Sequence, residues 1–260
     1  MKKILIGALL LTGCALPVMA CTGISATAKD GGYVQARTIE WGDSYLPSQY
    51  VVIPCGHEMI SYTPKGMNGA KFRARYGVVG LSIVLKDFVV EGLNETGLSA
   101  GLFYFPHYGN YPVYDAKQNT RTVADLQLVA WMLSQFSTIE EIKAAMQDIR
   151  VVSVDTTGAS STVHWRIGDA NGRQVVLEFV DGVPCFYENE IGVLTNSPGF
   201  PWQMTNLNNY VNLYPGGAEA HQLGGVTIFP FGAGSGFQGI PGDVTPPSRF
   251  VRAAFYKATA

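Results

Sequence analysis

The residue in this chain best suited to chemistry is Cys21. It follows Val18-Met19-Ala20, and the stretch before it reads as an export leader. Lys2 and Lys3 precede an apolar run from Ile4 to Leu11, and the small residue Ala20 closes the segment. A basic start, a short apolar core and a small residue at the cut are the marks of a secretory signal. The run is too short to span a bilayer. Cleavage between Ala20 and Cys21 places a nucleophile and a base on one residue. An unperturbed thiol titrates near about 8.5 and an α-amine near about 7.7–8.0. At neutral pH the freed amine is therefore a poised proton acceptor, as it is for N-terminal serine and threonine nucleophiles. A nearby guanidinium would favour the thiolate. Two rival readings stay open. A slightly different cut leaves Cys21 internal. Leu11-Thr12-Gly13-Cys14 also has the form of a lipidation box, which would make Cys14 the first residue.

Other chemistry is sparse. Past the leader the cysteines are Cys21, Cys55 and Cys185, an odd set that leaves at least one thiol unpaired or bonded between chains. Pairing of Cys55 with Cys185 is an open alternative. The histidines His57, His107, His164 and His221 lack ligand spacing, so no metal is expected and each is assigned a structural or surface role. Gly234-Ser235-Gly236-Phe237-Gln238-Gly239 matches a dinucleotide fingerprint, but Ile240-Pro241-Gly242 follows where a helix would be needed, so no nucleotide cofactor is expected. Asn94-Glu95-Thr96 is a glycosylation triplet of a kind that arises often by chance.

The elements that must position Cys21 are mainly strands. At 260 residues the chain is long enough to bury a core without staples. With 47% hydrophobic residues and a net charge of −2 it is neither disordered nor marked as a nucleic-acid binder. Residues 22–38 form two strands about the turn Lys29-Asp30-Gly31-Gly32, with strand candidates at 49–54, 71–85 and 87–105. Val123, Leu126, Leu128, Val129, Met132 and Leu133 carry a helical period within 122–148. A second helix is expected to start at a Ser137–Glu140 capping box. Asn171-Gly172 and Asp181-Gly182 then separate strands 162–168, 173–179 and 184–188 as hairpin turns. Helices are expected at 201–213 and from Pro247. With no composition break, this is one α+β domain of antiparallel sheets covered by helices.

Several ordered landmarks carry a family resemblance. They are Cys21-Thr22-Gly23, Ala36-Arg37-Thr38-Ile39-Glu40-Trp41, Gly92-Leu93-Asn94-Glu95-Thr96-Gly97-Leu98 and Ser161-Thr162-Val163-His164-Trp165. Further on come Gly192-Val193-Leu194-Thr195-Asn196-Ser197-Pro198, Gly239-Ile240-Pro241-Gly242-Asp243 and Pro247-Ser248-Arg249-Phe250-Val251-Arg252. From Cys21 to its end the chain resembles the choloylglycine hydrolase family of N-terminal-nucleophile amidases, which includes bile salt hydrolases and penicillin V acylases. The resemblance implies an αββα sandwich, two antiparallel sheets between helical layers. It implies Cys21 as nucleophile with its own amine as base, Arg37 beside the thiol and Glu40 holding the amine. It also implies Asn196 and a backbone amide near Tyr104 as oxyanion donors, and Arg249 as electrostatic support. A preorganised oxyanion donor is worth roughly 3–4 kcal/mol.

Tyr104 stands where bile salt hydrolases usually carry asparagine and penicillin V acylases carry tyrosine. Glu40 stands where the family carries aspartate, so the carboxylate sits one methylene further out. The family also continues beyond the helix of Arg252-Ala253-Ala254-Phe255-Tyr256, so the sequence reads as a sandwich shortened at its C-terminus, with an exposed edge or as a fragment. The expectation is leader 1–20 and amidase domain 21–260, exported to the periplasm or outside the cell. It acts on a small amide with an apolar acyl group, conjugated bile salt first, with penicillin V or N-acyl homoserine lactone as alternatives. Trp41, Phe103, Phe105 and Tyr108 are candidates for the acyl-binding surface, with core packing as the alternative. A secreted or lipid-anchored binding protein that lost catalysis is the reading from another class. A homo-oligomer is left open.

Overall fold

The structure is a computed structural model that describes residues 19–41, 46–154 and 162–260. Residues 1–18 and 155–161 lie outside it, so most of the leader, Cys14 and Ser161 are not placed. Along the chain come β1 (Met19–Thr27), β2 (Tyr33–Trp41), β3 (Ser48–Ile53), β4 (Glu58–Ile60), β5 (Lys71–Arg73), β6 (Val78–Ile83), β7 (Val89–Asn94) and β8 (Ser99–Tyr104). Next are β9 (Thr122–Ala124), α1 (Leu128–Gln135), α2 (Ile139–Ala145) and β10 (Arg150–Val152). The second half holds β11 (Val163–Gly168), β12 (Gln174–Val180), β13 (Val183–Glu188), β14 (Val193–Leu194), α3 (Phe200–Asn206), β15 (His221–Leu223), β16 (Val226–Ile228) and α4 (Pro246–Thr259).

Two antiparallel sheets face each other. The larger has seven strands in the order β13-β12-β11-β8-β7-β6-β3, and the smaller has three, β14-β1-β2. Alternation assigns the faces. On β8, β11 and β12, Ala100, Leu102, Val163, Trp165, Ile167, Val175, Leu177 and Phe179 join one apolar core with Leu128, Val129, Met132 and Leu133 of α1. The opposite face turns Phe103, His164, Arg166, Val176 and Glu178 toward the small sheet. There Cys21, Phe103, Val176, Val193 and Leu194 form a second core with Phe250 and Ala254 of α4. The layers are therefore helix, sheet, sheet, helix, the αββα sandwich. The small sheet leaves the same face of β3, β6 and β7 open, and Tyr50, Val52, Val79 and Leu93 are exposed on it.

Two local expectations change. Val123 belongs to β9, which pairs in parallel with β10, so the helical period across 122–148 overran a short strand. The start of α2 lies one residue later than the predicted box. Thr138 Oγ1 accepts from the Glu141 amide, while the Glu141 carboxylate accepts from the Ser137 amide and hydroxyl. Asn94, in the glycosylation-type triplet, is buried and has a structural role. Its Nδ2 donates to the carbonyls of Leu133 and Phe136, and its Oδ1 accepts from the Leu98 amide, so the side chain is buried and ties the β7–β8 turn to α1. No helix among the described residues is long and apolar enough to cross a membrane.

Candidate active site

Cys21 is the third residue of β1 and is almost fully buried. Register with β2 pairs Ala20 with Glu40, Cys21 with Ile39, Thr22 with Thr38 and Gly23 with Arg37. Alternation then turns Cys21, Gly23 and Arg37 toward the large sheet, and Ala20, Thr22, Thr38 and Glu40 toward α4. Ala20 precedes Cys21 in the described chain, so the Cys21 nitrogen is here a peptide N–H. It donates to Asn196 Oδ1 at 2.8 Å.

Asn196 reaches that position by strand register. β14 pairs Leu194 with Gly23 and Val193 with Ile24. Two residues further along the same register, Asn196 stands opposite Cys21. Three partners fix its carboxamide. Oδ1 accepts from Cys21 N and from Arg249 Nη2, the latter at 2.8 Å, while Nδ2 donates to the Tyr104 carbonyl at 2.7 Å. Reversing the amide would set its NH₂ against two donors and its oxygen against a carbonyl. Nδ2 carries a second hydrogen, the one available to a reacting oxygen.

Arg249 lies in the first turn of α4 and uses one arm of its fork on the nucleophile strand and the other on Asn196. Nη1 donates to the Cys21 carbonyl and to Thr22 Oγ1, and Nε donates to the Val244 carbonyl. Burial pushes the Arg249 pKa down, and the negative charges of Glu40 and Cys21 oppose that. Asp243 anchors the start of the helix. Its carboxylate accepts from Thr245 N, Thr245 Oγ1 and Ser248 Oγ, bonds that hold its pKa down at about 2.

Arg37, paired with Gly23, extends onto the large sheet, and its hydrogen bonds go there and to its own strand rather than to the sulfur. Nη1 donates to the carbonyls of Val90 and Leu102 and to Glu91 Oε2, and Nε to the Thr38 carbonyl. Its guanidinium lies 4.0 Å from the Phe103 ring centroid. Glu91 Oε1 takes a second guanidinium, that of the fully buried Arg166, at 3.0 Å. Two cations thus share one carboxylate beneath β1. Gly23 makes room for them, since a Cβ there would stand 2.6 Å from Phe103 Cζ and 2.8 Å from Arg166 Nη1.

Tyr104 presents its carbonyl to Asn196, whereas the expected contribution was a backbone amide. An antiparallel strand points the N–H and C=O of one residue to the same side, so the Tyr104 amide shares that edge. Glu40 is on the α4 side of the small sheet, within electrostatic reach of Arg249. The aromatic residues separate by burial. Phe103 is packed between two guanidiniums and Phe105 is stacked on the His164 ring, so both are core rather than acyl-binding surface. Tyr108 is exposed, and the Trp41 side chain lies outside the described residues. Gly234 to Gly239 remains a loop, as its sequence context required. Cys55 and Cys185 are free thiols, and no cluster among the described residues could hold a metal. Local sequence patterns carried no sign of Glu91, Arg166 or Glu178, because each acts across strands distant in the chain.

Comparison with known proteins assigns the family and the fold. The family model for linear amide C–N hydrolases, choloylglycine hydrolase family, matches residues 21–260. The bile salt hydrolase/transferase of Clostridium perfringens is 32% identical over 241 residues, covering 91% of this chain and 71% of that protein. The crystal structure of a mutant conjugated bile acid hydrolase from Clostridium perfringens superposes with a TM-score of 0.79 at 30% identity, covering 92% of this chain and 72% of that one. The penicillin V acylase from Agrobacterium tumefaciens superposes with a TM-score of 0.70 at 25% identity, over 92% of this chain and 65% of that one.

Proposed function

The chain belongs to the choloylglycine hydrolase family of linear amide C–N hydrolases, and from that premise we propose that it is an exported amidase of conjugated bile salts whose mature form begins at Cys21. Cleavage after Ala20 would turn the nitrogen that donates to Asn196 Oδ1 into a free amine already seated in the site. In the reaction the thiol passes its proton to that amine and the sulfur attacks the amide carbon. The carbonyl oxygen becomes anionic and accepts from Asn196 Nδ2 and from the backbone amide at Tyr104. The ammonium returns the proton to the leaving nitrogen as the C–N bond breaks, which leaves a thioester. Water, losing its proton to the same amine, then releases the acid and restores the thiol. Glu40 holds the ammonium from the α4 side. Arg37 and Arg249 supply positive charge to the thiolate and the oxyanion.

The observation that carries the reading is the oriented Asn196 carboxamide opposite Cys21, held by Arg249 and the Tyr104 carbonyl. Support for the substrate comes from relatives named as bile salt and conjugated bile acid hydrolases at 30–32% identity. Penicillin V is the second reading. It is favoured by Tyr104 at the position where penicillin V acylases carry tyrosine, and by the Agrobacterium structural neighbour. The test is N-terminal sequencing of the protein purified from cells, then release of glycine from glycocholate and of phenoxyacetate from penicillin V, each against Cys21→Ala. A Cys21 start and glycocholate release abolished in C21A support the proposal. An acylated Cys14 start, or no release from either substrate, refutes it in favour of a binding protein.

A further inference from the structure

We propose that the buried pair His164–Glu178 is the positioning device for Asn196, and that it acts by sharing a proton. The proposal rests on the reading of Cys21 and Asn196 given above.

His164 on β11 faces Glu178 on β12, since the adjacent pair in register is Trp165 with Leu177. Both side chains are almost completely buried. His164 Nδ1 lies 2.9 Å from Glu178 Oε1, and Nε2 lies 3.0 Å from the Thr195 carbonyl oxygen. Both ring nitrogens therefore meet acceptors. A carbonyl oxygen can only accept, so Nε2 carries a hydrogen. The contact between Nδ1 and Oε1 needs another, because two lone pairs at that distance repel. Imidazolium with carboxylate and imidazole with carboxylic acid both satisfy this. In either form the pair is neutral overall and burial strands no net charge.

The pair grips both ends of the segment that carries Asn196. His164 holds the Thr195 carbonyl, one peptide before Asn196. Glu178 Oε1 accepts from the Phe200 amide at 2.8 Å, on the far side of Ser197-Pro198-Gly199. The imidazole cannot turn. Phe105 is stacked on it at 4.3 Å with an interplanar angle of 6°, and Phe103 meets its edge at 6.1 Å. Ser197 Oγ donates to the Pro106 carbonyl at 2.7 Å, which ties the same loop to the end of β8. Direction is thus set at the Thr195 carbonyl and passed to the next side chain, which must hit Cys21 N, Arg249 and Tyr104 at once. His164 touches none of the reacting groups, so it positions rather than reacts.

The test uses the mature enzyme with glycocholate and the variants Glu178→Leu, Glu178→Gln, Asn196→Ala and the double variant E178L/N196A. E178L should lower kcat by about 10²-fold, the scale of a misplacement near 1 Å, with KM within about threefold. E178Q cannot serve Nδ1–H and the Phe200 amide while also balancing an imidazolium, so it should fall between wild type and E178L. E178L/N196A should be no slower than N196A, because the pair acts only through Asn196. Proton NMR of the wild type should show a far-downfield imidazole N–H that is lost in E178Q. E178Q with wild-type kcat, losses that multiply in the double variant, or no such resonance would each overturn the proposal. If instead N196A keeps wild-type kcat, the reading of Asn196 fails, and with it the premise. Should E178L not fold, E178Q and the wild-type resonance still decide.

Discussion

Arg249→Lys separates the charge of Arg249 from its geometry. The native fork joins two strands, Nη1 to the Cys21 carbonyl and Thr22 Oγ1, Nη2 to Asn196 Oδ1 at 2.8 Å. Lysine keeps the positive charge facing Glu40 and Cys21 but has one ammonium, which cannot occupy both arms. The lost arm is a charge-assisted hydrogen bond to the residue that orients the oxyanion donor, and such bonds contribute about 1.5–3 kcal/mol. If that loss is felt in the transition state, at 1.36 kcal/mol per decade kcat falls roughly 10- to 150-fold. KM should hardly move, since Arg249 touches the nucleophile strand and Asn196 and not the acyl group. The assay is steady-state glycine release from glycocholate by the mature enzyme, with a thermal melt as the check on folding. A kcat within about twofold of wild type would show that charge alone accounts for Arg249. A loss carried by KM would place Arg249 in substrate binding. Either result refutes the orienting argument.

Two further outcomes follow from burial. Asp125 is fully desolvated between β9 and α1, which raises its carboxyl pKa to about 7. The folded state therefore holds a proton that the unfolded chain releases near about 3.9. Stability from this group is full below about pH 4, falls as pH rises toward 7, and is lower by roughly 4 kcal/mol above that. Asp125→Asn keeps an oxygen for the Leu126 amide and should flatten the decline, read as urea midpoints of both proteins at pH 5 and pH 8; parallel slopes would sink the assignment. Gly23→Ala drives a methyl into Phe103 and Arg166, and overpacking of this kind costs about 1–3 kcal/mol. Because Cys21 is two residues away on the same face, kcat should fall along with the melting temperature. A G23A protein with unchanged activity would mean that the sheets are not held apart where the contacts place them.

Local pattern reached the strands of this fold because the hairpin turns state their own geometry. Gly172 and Asp181-Gly182 adopt the positive φ that tight hairpins require, and β11, β12 and β13 fall where those turns put them. Local pattern failed at Val123, where a three-residue strand sits inside an apolar stretch that also fits a helix; what decides between them is pairing with β10, nearly thirty residues later. The same limit applied at the site. Cys21 was visible through the leader, and Asn196 and Arg249 through motifs. Their mutual fit was not, since β14 reaches β1 only after the whole large sheet has been built. His164 was the sharpest case. An isolated histidine in an apolar strand reads as a core residue, and only its register with Glu178 reveals two acceptors facing one ring.

The layer between the sheets shows why such residues are there at all. The outer face of the large sheet is apolar and packs on α1, whereas its inner face carries Arg166, Glu91, His164 and Glu178, with Arg37 brought in by β2. Buried ion pairs rarely add stability over apolar packing, so stability is a poor reason for this arrangement. Its charge balance points elsewhere. His164 and Glu178 cancel each other, but Glu91 answers two guanidiniums, which leaves one positive charge uncancelled beneath Gly23. That charge sits in a layer of low polarity two residues from Cys21, where its field is screened far less than at the surface. Arg37 Nη1 donates to the carbonyls of Val90 and Leu102, which ties β2 to β7 and β8, and Arg166 Nη1 donates to those of Ile24 and Ala36, which ties β11 to β1 and β2. The same bonds that seat the nucleophile strand therefore also hold the cation that favours an anionic sulfur. Position and charge at this site cannot be altered independently by changing either arginine.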